Sequence, residues 1–320
     1  MSFPSAFELA LASASFLRPR ERLSIAAALD ASGEASLPSV DGLSMLAGRV
    51  LKARAWDPAA ALSKAKRGLD WLSSHGAWAL RLGEPGYPAL LSEIYDPPAM
   101  LFGRGALPSE AMPWLAVVGT RDPSAESAAA CRALCREIGA AGIPLVSGLA
   151  RGMDACAHAG ALAGSGPSVA VMGTGIDQIY PASNKGLAGR MLESGGCILS
   201  EYPPGEGAER WRFPERNRII AGLCRLVLVA QAPQRSGALI TVEHALQEGR
   251  DVAVCAFGMT GERGAGCARL ASEGAPVVSE YRHIAALLGM GAGMRFEGMR
   301  PCIGSRAAVA AKAREERALF

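Results

Sequence analysis

From Trp114 onward the chain alternates two kinds of segment. Short, dominantly apolar runs (WLAVVG, PLVSG, SVAVMG, CILSEY, RLVLVAQ and DVAVCAF) are separated by longer stretches with apolar residues at helical spacing. The spacing predicts helices over 123–141, 151–164, 183–194, 215–223, 236–249 and, more weakly patterned, 265–274. The runs are apolar at successive positions, as expected of strands buried on both faces. Strands that each lead into a helix make βαβ units, so the expected fold class is α/β, a doubly wound, mostly parallel sheet. Such sheets bind ligands beyond the carboxyl ends of their strands.

The pattern upstream is different. Residues 1–76 read as a small helical N-terminal domain, with ELALASASFL, RLSIAAAL and PAAALSKAKRGLDWLSSHG carrying the helical spacing between Gly, Pro and Asp breaks. In residues 77–113, AWALRL and AMLFG read as short strands around the turn Asp96-Pro97-Pro98. The expected organisation is therefore 1–76 helical, 77–290 α/β, and 291–320 a basic tail.

Charge narrows the function classes. Residues 1–113 hold 11 basic and 11 acidic side chains, 114–290 hold 16 of each, and the tail holds 6 and 3. The formal net charge of +3 thus resides in the tail, and a domain-wide basic field is excluded. An anion site must be local. The eight cysteines form no C-x-x-C pair and have no zinc-site spacing, so they read as core residues of a reducing, cytoplasmic compartment. The N-terminal stretch has no basic n-region, and Gly, Ser, Pro and His158 interrupt the long uncharged stretch 155–176, so neither a secretory signal nor a membrane span is expected.

The predicted strand ends carry the candidate chemistry. The first ends in Gly119-Thr120-Arg121, the second in Ser147-Gly148-Leu149-Ala150-Arg151-Gly152, the third in Gly173-Thr174-Gly175, and the fifth leads to Ser236-Gly237. Small residues let backbone amides point outward, helix N-termini favour anions, and Arg adds bidentate phosphate donors. The chain lacks GxxxxGK[ST] and has no GxGxxG after the first strand, which argues against a P-loop NTPase and a dinucleotide oxidoreductase. The segment 210–218, RWRFPERNR, sets four Arg among Trp211 and Phe213, a combination suited to single-stranded nucleic acid. Pro214 is expected at the first position of the following helix. Acidic residues are expected to face away from this rim. Asp154 reads equally as a cap or an acid, and His158 and His244 as structural histidines.

Taken in order, VVGTR, VSGLARGMDACAHAGAL, GTGIDQIYPASNKGL, SEYPPG, FPERNRIIAGL and SGALITVEHALQEGRDVAV resemble the DprA/Smf (DNA processing protein A) family over roughly residues 84–285. The resemblance implies an extended Rossmann-like fold preceded by a sterile-alpha-motif-like helical domain. It implies a homodimeric protein that binds single-stranded DNA and helps load the RecA recombinase during DNA uptake and natural transformation. The implied DNA-binding set is Arg121, Ser147, Gly148, Arg151, Lys185, Phe213, Arg216, Asn217, Arg218, Ser236 and Gly237, with no catalytic residue, metal ligand or cofactor. The chain departs from the family pattern at Glu126-Ser127, at Cys255-Ala256-Phe257-Gly258 and at Gly266-Cys267-Ala268, and its tail is too short for the family's winged helix. Two alternatives stay open. SGALITVE loosely resembles the Gly-rich Thr-x-Glu turn of LOG-like nucleotide phosphoribohydrolases, in which Glu243 would assist N-glycosidic cleavage by stabilising positive charge developing on the ribose. A mononucleotide-binding protein would use the same rim.

Overall fold

A computed structural model describes residues 3–53 and 55–290; the basic tail, 291–320, lies outside the described residues. Four helices open the chain: α1 (Ala6–Ala12), α2 (Pro19–Ser32), α3 (Val40–Ala47) and α4 (Pro58–Ser74). Local chemistry sets their ends. Ser5 and Glu8 form a reciprocal capping box on α1, Asp57 caps α4, and Pro residues occupy the first positions of α2 and α4. The sheet begins almost at once, with β1 (Trp78–Arg81), then α5 (Ala89–Ser92) and β2 (Met100–Gly105).

The regular region follows: β3 (Leu115–Gly119), α6 (Ala125–Ala140), β4 (Leu145–Ser147), α7 (Met153–Ala163), β5 (Ser168–Met172), α8 (Lys185–Glu193) and β6 (Cys197–Ser200). It continues through α9 (Arg212–Gly222), β7 (Leu226–Gln231), α10 (Gly237–Gln247), β8 (Asp251–Cys255), α11 (Gly261–Ser272), β9 (Val277–Val278) and α12 (Tyr281–Leu287). All nine strands join one sheet in the order β1-β2-β6-β5-β4-β3-β7-β8-β9. The strands from β3 onward pair in parallel, while β2 runs antiparallel to both β6 and β1. The expected doubly wound sheet is present, and the two upstream strands extend it at one edge.

The strands are buried on both faces, as their continuous apolar runs predict. Val118, Val146, Val171 and Val229 pack with Ile219 and Ile220 of α9 and Leu239 of α10 on one face. Leu115, Val117 and Leu228 pack with Cys131 and Ile138 of α6 and Ala157 of α7 on the other. The N-terminal helices share that second side of the sheet's far half: Leu9, Leu11 and Leu72 form one buried cluster with Ala79, Phe102 and Ile198. Cys131, Cys135, Cys156, Cys197, Cys224, Cys255 and Cys267 are all buried thiols. Among the described residues, no helix is long and apolar enough to cross a membrane.

Candidate nucleic-acid interface

The order of strands creates one crevice. From β3 the chain crosses to β4 on one side, whereas from β7 it crosses to β8 on the other, so β3 and β7 are neighbours whose outgoing connections diverge. A crevice at that switch point is where open α/β sheets bind ligands. It is a cleft of about 370 Å³, lined by Thr120 and Arg121 after β3, Phe213, Arg216 and Asn217 of α9, and the Arg235-Ser236-Gly237 turn after β7.

Backbone contacts draw the strand-end turns together. Thr120 donates its N–H to the Gln231 carbonyl at 2.7 Å, and Met153 donates its N–H to the Thr120 carbonyl at 3.0 Å. Gly152 makes this docking possible. Its φ is +82°, and a Cβ there would meet the Thr120 carbonyl at 2.4 Å and the Arg121 Cα at 2.7 Å. The Arg121 and Arg151 turns are thus in contact, and both side chains belong to exposed residues. Asn184 fastens a further turn, donating its amide to the carbonyls of Leu149 (2.9 Å) and Ala150 (3.3 Å), which brings the chain before exposed Lys185 against the Arg151 turn. Leu149 itself holds φ +55°, a left-handed conformation unusual for a branched apolar residue.

Two buried charged groups, Arg216 and Asp154, lie at the floor of the cleft on either side of Gly148. Arg216 donates to the carbonyls of Gly148 (2.9 Å) and Val171. The Asp154 carboxylate accepts the backbone N–H groups of Gly148 (3.2 Å) and Ala150 (3.3 Å). A Cβ at Gly148 would lie 2.6 Å from an Arg216 nitrogen and 2.8 Å from an Asp154 oxygen, so this glycine leaves room for both groups. Burial pulls the Arg216 guanidinium down to about 10, against the opposing pull of Asp154. Burial pushes the Asp154 carboxyl up, opposed by the Arg216 charge and by the backbone donors. The expectation that acidic residues face away is corrected at this point, because Asp154 lines the cleft. Asp154 caps the Ser147–Gly152 turn, and its negative charge partly offsets that of the deepest arginine.

The candidate residues therefore fall into groups. Arg121, Phe213, Arg216, Asn217, Ser236 and Gly237 line the cleft, and Arg151 and Lys185 stand on turns docked against it. Phe213 is half-buried beside Tyr180, the two ring centroids being 5.2 Å apart. Ser147 and Gly148 lie beneath the cleft. Ser147 is fully buried and donates to the Val117 carbonyl at 2.6 Å. Arg218 points elsewhere, held at 2.7 Å by Glu201 and at 3.3 Å by Asp96 in a neighbouring cleft. Its alternation along α9 explains this: Arg216 and Arg218 are two residues apart, which places them on different helix faces. Helix α9 starts at Arg212, so Pro214 is its third residue and not the first, still within the turn that lacks internal N–H partners. Arg235, exposed on the cleft wall, and Asn184 were not anticipated. An Arg directly before a Ser-Gly helix start was the available signal for the former; nothing local marks the latter. His158 is buried against Ser168, its Nδ1 at 2.8 Å from the hydroxyl oxygen. Glu243 is exposed and does not line the cleft.

The fold and site define a class: an open, doubly wound α/β protein with a cationic and aromatic cleft at its topological switch point. Residues 78–289 match the DNA recombination-mediator protein A family, and the chain belongs to that family. It is similar to the DNA processing protein DprA of Streptococcus pneumoniae, 44% identical over 200 residues that make up 62% of this chain and 70% of that one. Other curated relatives are matched over 44% to 65% of their own length. The crystal structure of the pneumococcal protein superposes with a TM-score of 0.69 at 34% identity, covering 89% of this chain and 98% of that chain. The structure of DNA processing protein A from Helicobacter pylori, which concerns its single-stranded DNA binding mode, superposes with a TM-score of 0.59 at 26% identity, covering 68% and 97%.

Proposed function

We propose that the protein binds single-stranded DNA in the β3/β7 cleft and acts as a homodimeric mediator that helps load a RecA-type recombinase onto that strand during DNA uptake. The observation that carries the DNA reading is the composition of the cleft wall. Exposed Arg121 and Arg235 stand around a floor that holds buried Arg216 and Asp154, with the Phe213 and Tyr180 rings beside them. Arginines of this kind hold phosphates, and an aromatic pair offers faces to unstacked bases. The H. pylori relative's single-stranded DNA binding and the family's description as a recombination mediator support the same reading. The nucleotide hydrolase alternative has less support, since Glu243 lies outside the cleft.

Fluorescence anisotropy with labelled single- and double-stranded oligonucleotides of equal length tests the proposal. Preferential binding of the single strand, weakened in Arg121→Ala, is the expected result. Equal affinity for both forms, or an Arg121→Ala variant indistinguishable from the parent, overturns it. Faster RecA filament formation on single strands in the presence of the protein is the corresponding expectation for the mediator step.

A further inference from the structure

A second cleft lies across α9 from the first. It has a volume of about 350 Å³ and is walled by α2, the end of β6 and the outer side of α9's first turn. We propose that this cleft, with Trp211 at its lip and Tyr202, Pro214, Glu215 and Arg22 on its walls, is a second subsite that takes one unstacked nucleobase of the same bound strand. The proposal rests on the single-stranded DNA reading above.

Continuity comes first. Pro214 lines both clefts, so a strand crossing the first turn of α9 passes directly from one to the other. The chemistry of the two sides then differs in a way that separates phosphate from base. In the second cleft most arginine donors are committed, although Arg212 Nε and Arg218 Nη1 are buried without an acceptor among the described residues. Arg218 is paired with Glu201 and Asp96, and Arg212 donates to Glu206 at 2.7 Å and to the Gly207 carbonyl at 2.9 Å. Arg22 donates to the carbonyls of Ala12, Ala14 and Leu17. A phosphate entering this space would face the carboxylates of Asp96, Glu201 and Glu215, with Arg218 already paired to the first two. A neutral, planar ligand with hydrogen-bonding edges meets no such opposition.

The remaining groups suit that ligand. Trp211 is 46% exposed, so a large part of its ring is open to a ligand at the lip of the cleft. It stands edge-on to Tyr202, with centroids 6.4 Å apart and planes at 89°, and the Arg212 guanidinium lies 5.1 Å from its ring centre. Glu215 accepts the Tyr202 hydroxyl through one carboxylate oxygen, at 3.3 Å, and its other oxygen has no partner among the described residues. Each of the four bases carries an N–H on its Watson–Crick edge for such an acceptor, and single-stranded bases are held by just this union of stacking and edge contact. The subsite is therefore tolerant of sequence.

The test is a cycle measured on the full-length protein with oligo-dT of about 15 nucleotides. One abasic residue is moved along the strand, and each oligonucleotide is titrated against the parent and against Trp211→Ala. Thermal unfolding of the variant confirms its fold. The expected result is one strand position, distinct from the position sensitive to Phe213→Ala, at which base removal weakens the parent about five- to a hundredfold and does not weaken Trp211→Ala further. Full additivity of Trp211→Ala with base removal at every position overturns the second subsite while leaving the first cleft intact. Failure of the parent to bind any single strand overturns the DNA reading itself, so the two failures are distinguishable. A second variant, Glu215→Leu, is expected to repeat the same non-additivity at the same strand position; additivity there overturns the edge contact.

Discussion

Arg216 and Arg121 are the same residue type and both belong to the expected DNA-binding set, yet the structure gives them different work. Arg121 is exposed on the cleft wall, while Arg216 is 5% exposed, bonded to two carbonyls and set beside Asp154. Truncating one member of a buried charge arrangement strands the other, at a cost of about 3–5 kcal/mol. Arg216→Ala is therefore expected to lower stability in urea by about that amount and to abolish binding with it, whereas Arg121→Ala changes stability by about 0.5 kcal/mol or less and weakens binding alone. Urea unfolding of the two variants beside their DNA titrations separates these outcomes. The sequence motif identifies which residues gather at the strand ends. It does not say which of them are swallowed by the turn, because that depends on Asp154 arriving from a different element.

His158 gives a prediction for pH. Burial holds its imidazole down to about 3, from an ordinary 6.5. The unfolded chain therefore takes up a proton below about pH 6.5 that the folded chain refuses until about pH 3. Stability contributed by the neutral form is lost as pH falls through that window, at up to about 1.4 kcal/mol per pH unit. His158→Gln, which retains a side chain able to hydrogen-bond Ser168, is expected to flatten the fall between pH 6.5 and 5. Identical slopes for parent and variant in urea titrations at those two pH values would refute it.

At the scale of elements, the N-terminal helices are tied to the site through one buried carboxylate. Glu206 accepts from Ser13 after α1 at 2.8 Å, from Lys64 of α4 at 2.6 Å, and from Arg212, the first residue of α9, at 2.7 Å. These donors hold its carboxyl below the ordinary range although burial pushes the other way. Glu206→Ala is expected to cost about 3 kcal/mol and to loosen the turn that carries Phe213, seen as faster amide exchange across α9's start. Lys64→Ala, whose side chain is 39% exposed, is expected to cost about 1 kcal/mol or less. A Glu206→Ala variant with unchanged exchange in α9 would disprove the tie. Legibility varied among elements for related reasons. The parallel strands and the long helices follow from apolar spacing alone, but α11 begins at Gly261, four residues before the position its pattern predicts. Its glycines read as loop residues, whereas Gly264 and Gly266 serve close packing: a Cβ would lie 2.5 Å from the Gly258 carbonyl at one and 2.7 Å from the Pro233 carbonyl at the other. Helix α3 escaped because it is a short, eight-residue element with Gly42 inside it, although Val40, Leu43 and Ala47 pack with the N-terminal cluster. Two of the departures from the family pattern also meet in space, the Ser127 hydroxyl donating to the Phe257 carbonyl at 3.0 Å, a pairing invisible along the sequence.

For the whole molecule, neutrality becomes a quantitative constraint on how DNA is held. Residues 3–290 carry equal numbers of basic and acidic side chains, and several prominent cations are consumed internally: Arg218 by Glu201, Arg212 by Glu206 and Arg81 by Glu8. The cations left exposed around the first cleft are Arg121, Arg151, Lys185 and Arg235. If each meets one phosphate, counterion release from a single strand gives a slope of log K against log salt of about −3, from about −0.7 per phosphate. A broadly basic protein tracking a long backbone would give a much steeper dependence. Arg121→Ala and Arg235→Ala are each expected to reduce the slope by about 0.7, and Arg218→Ala to leave it unchanged because its charge is already balanced by two carboxylates. Anisotropy titrations of oligo-dT across a salt series measure all three. A parent slope well beyond −5, or a slope that shifts in Arg218→Ala as much as in Arg121→Ala, would mean that the electrostatic footprint extends outside this cleft.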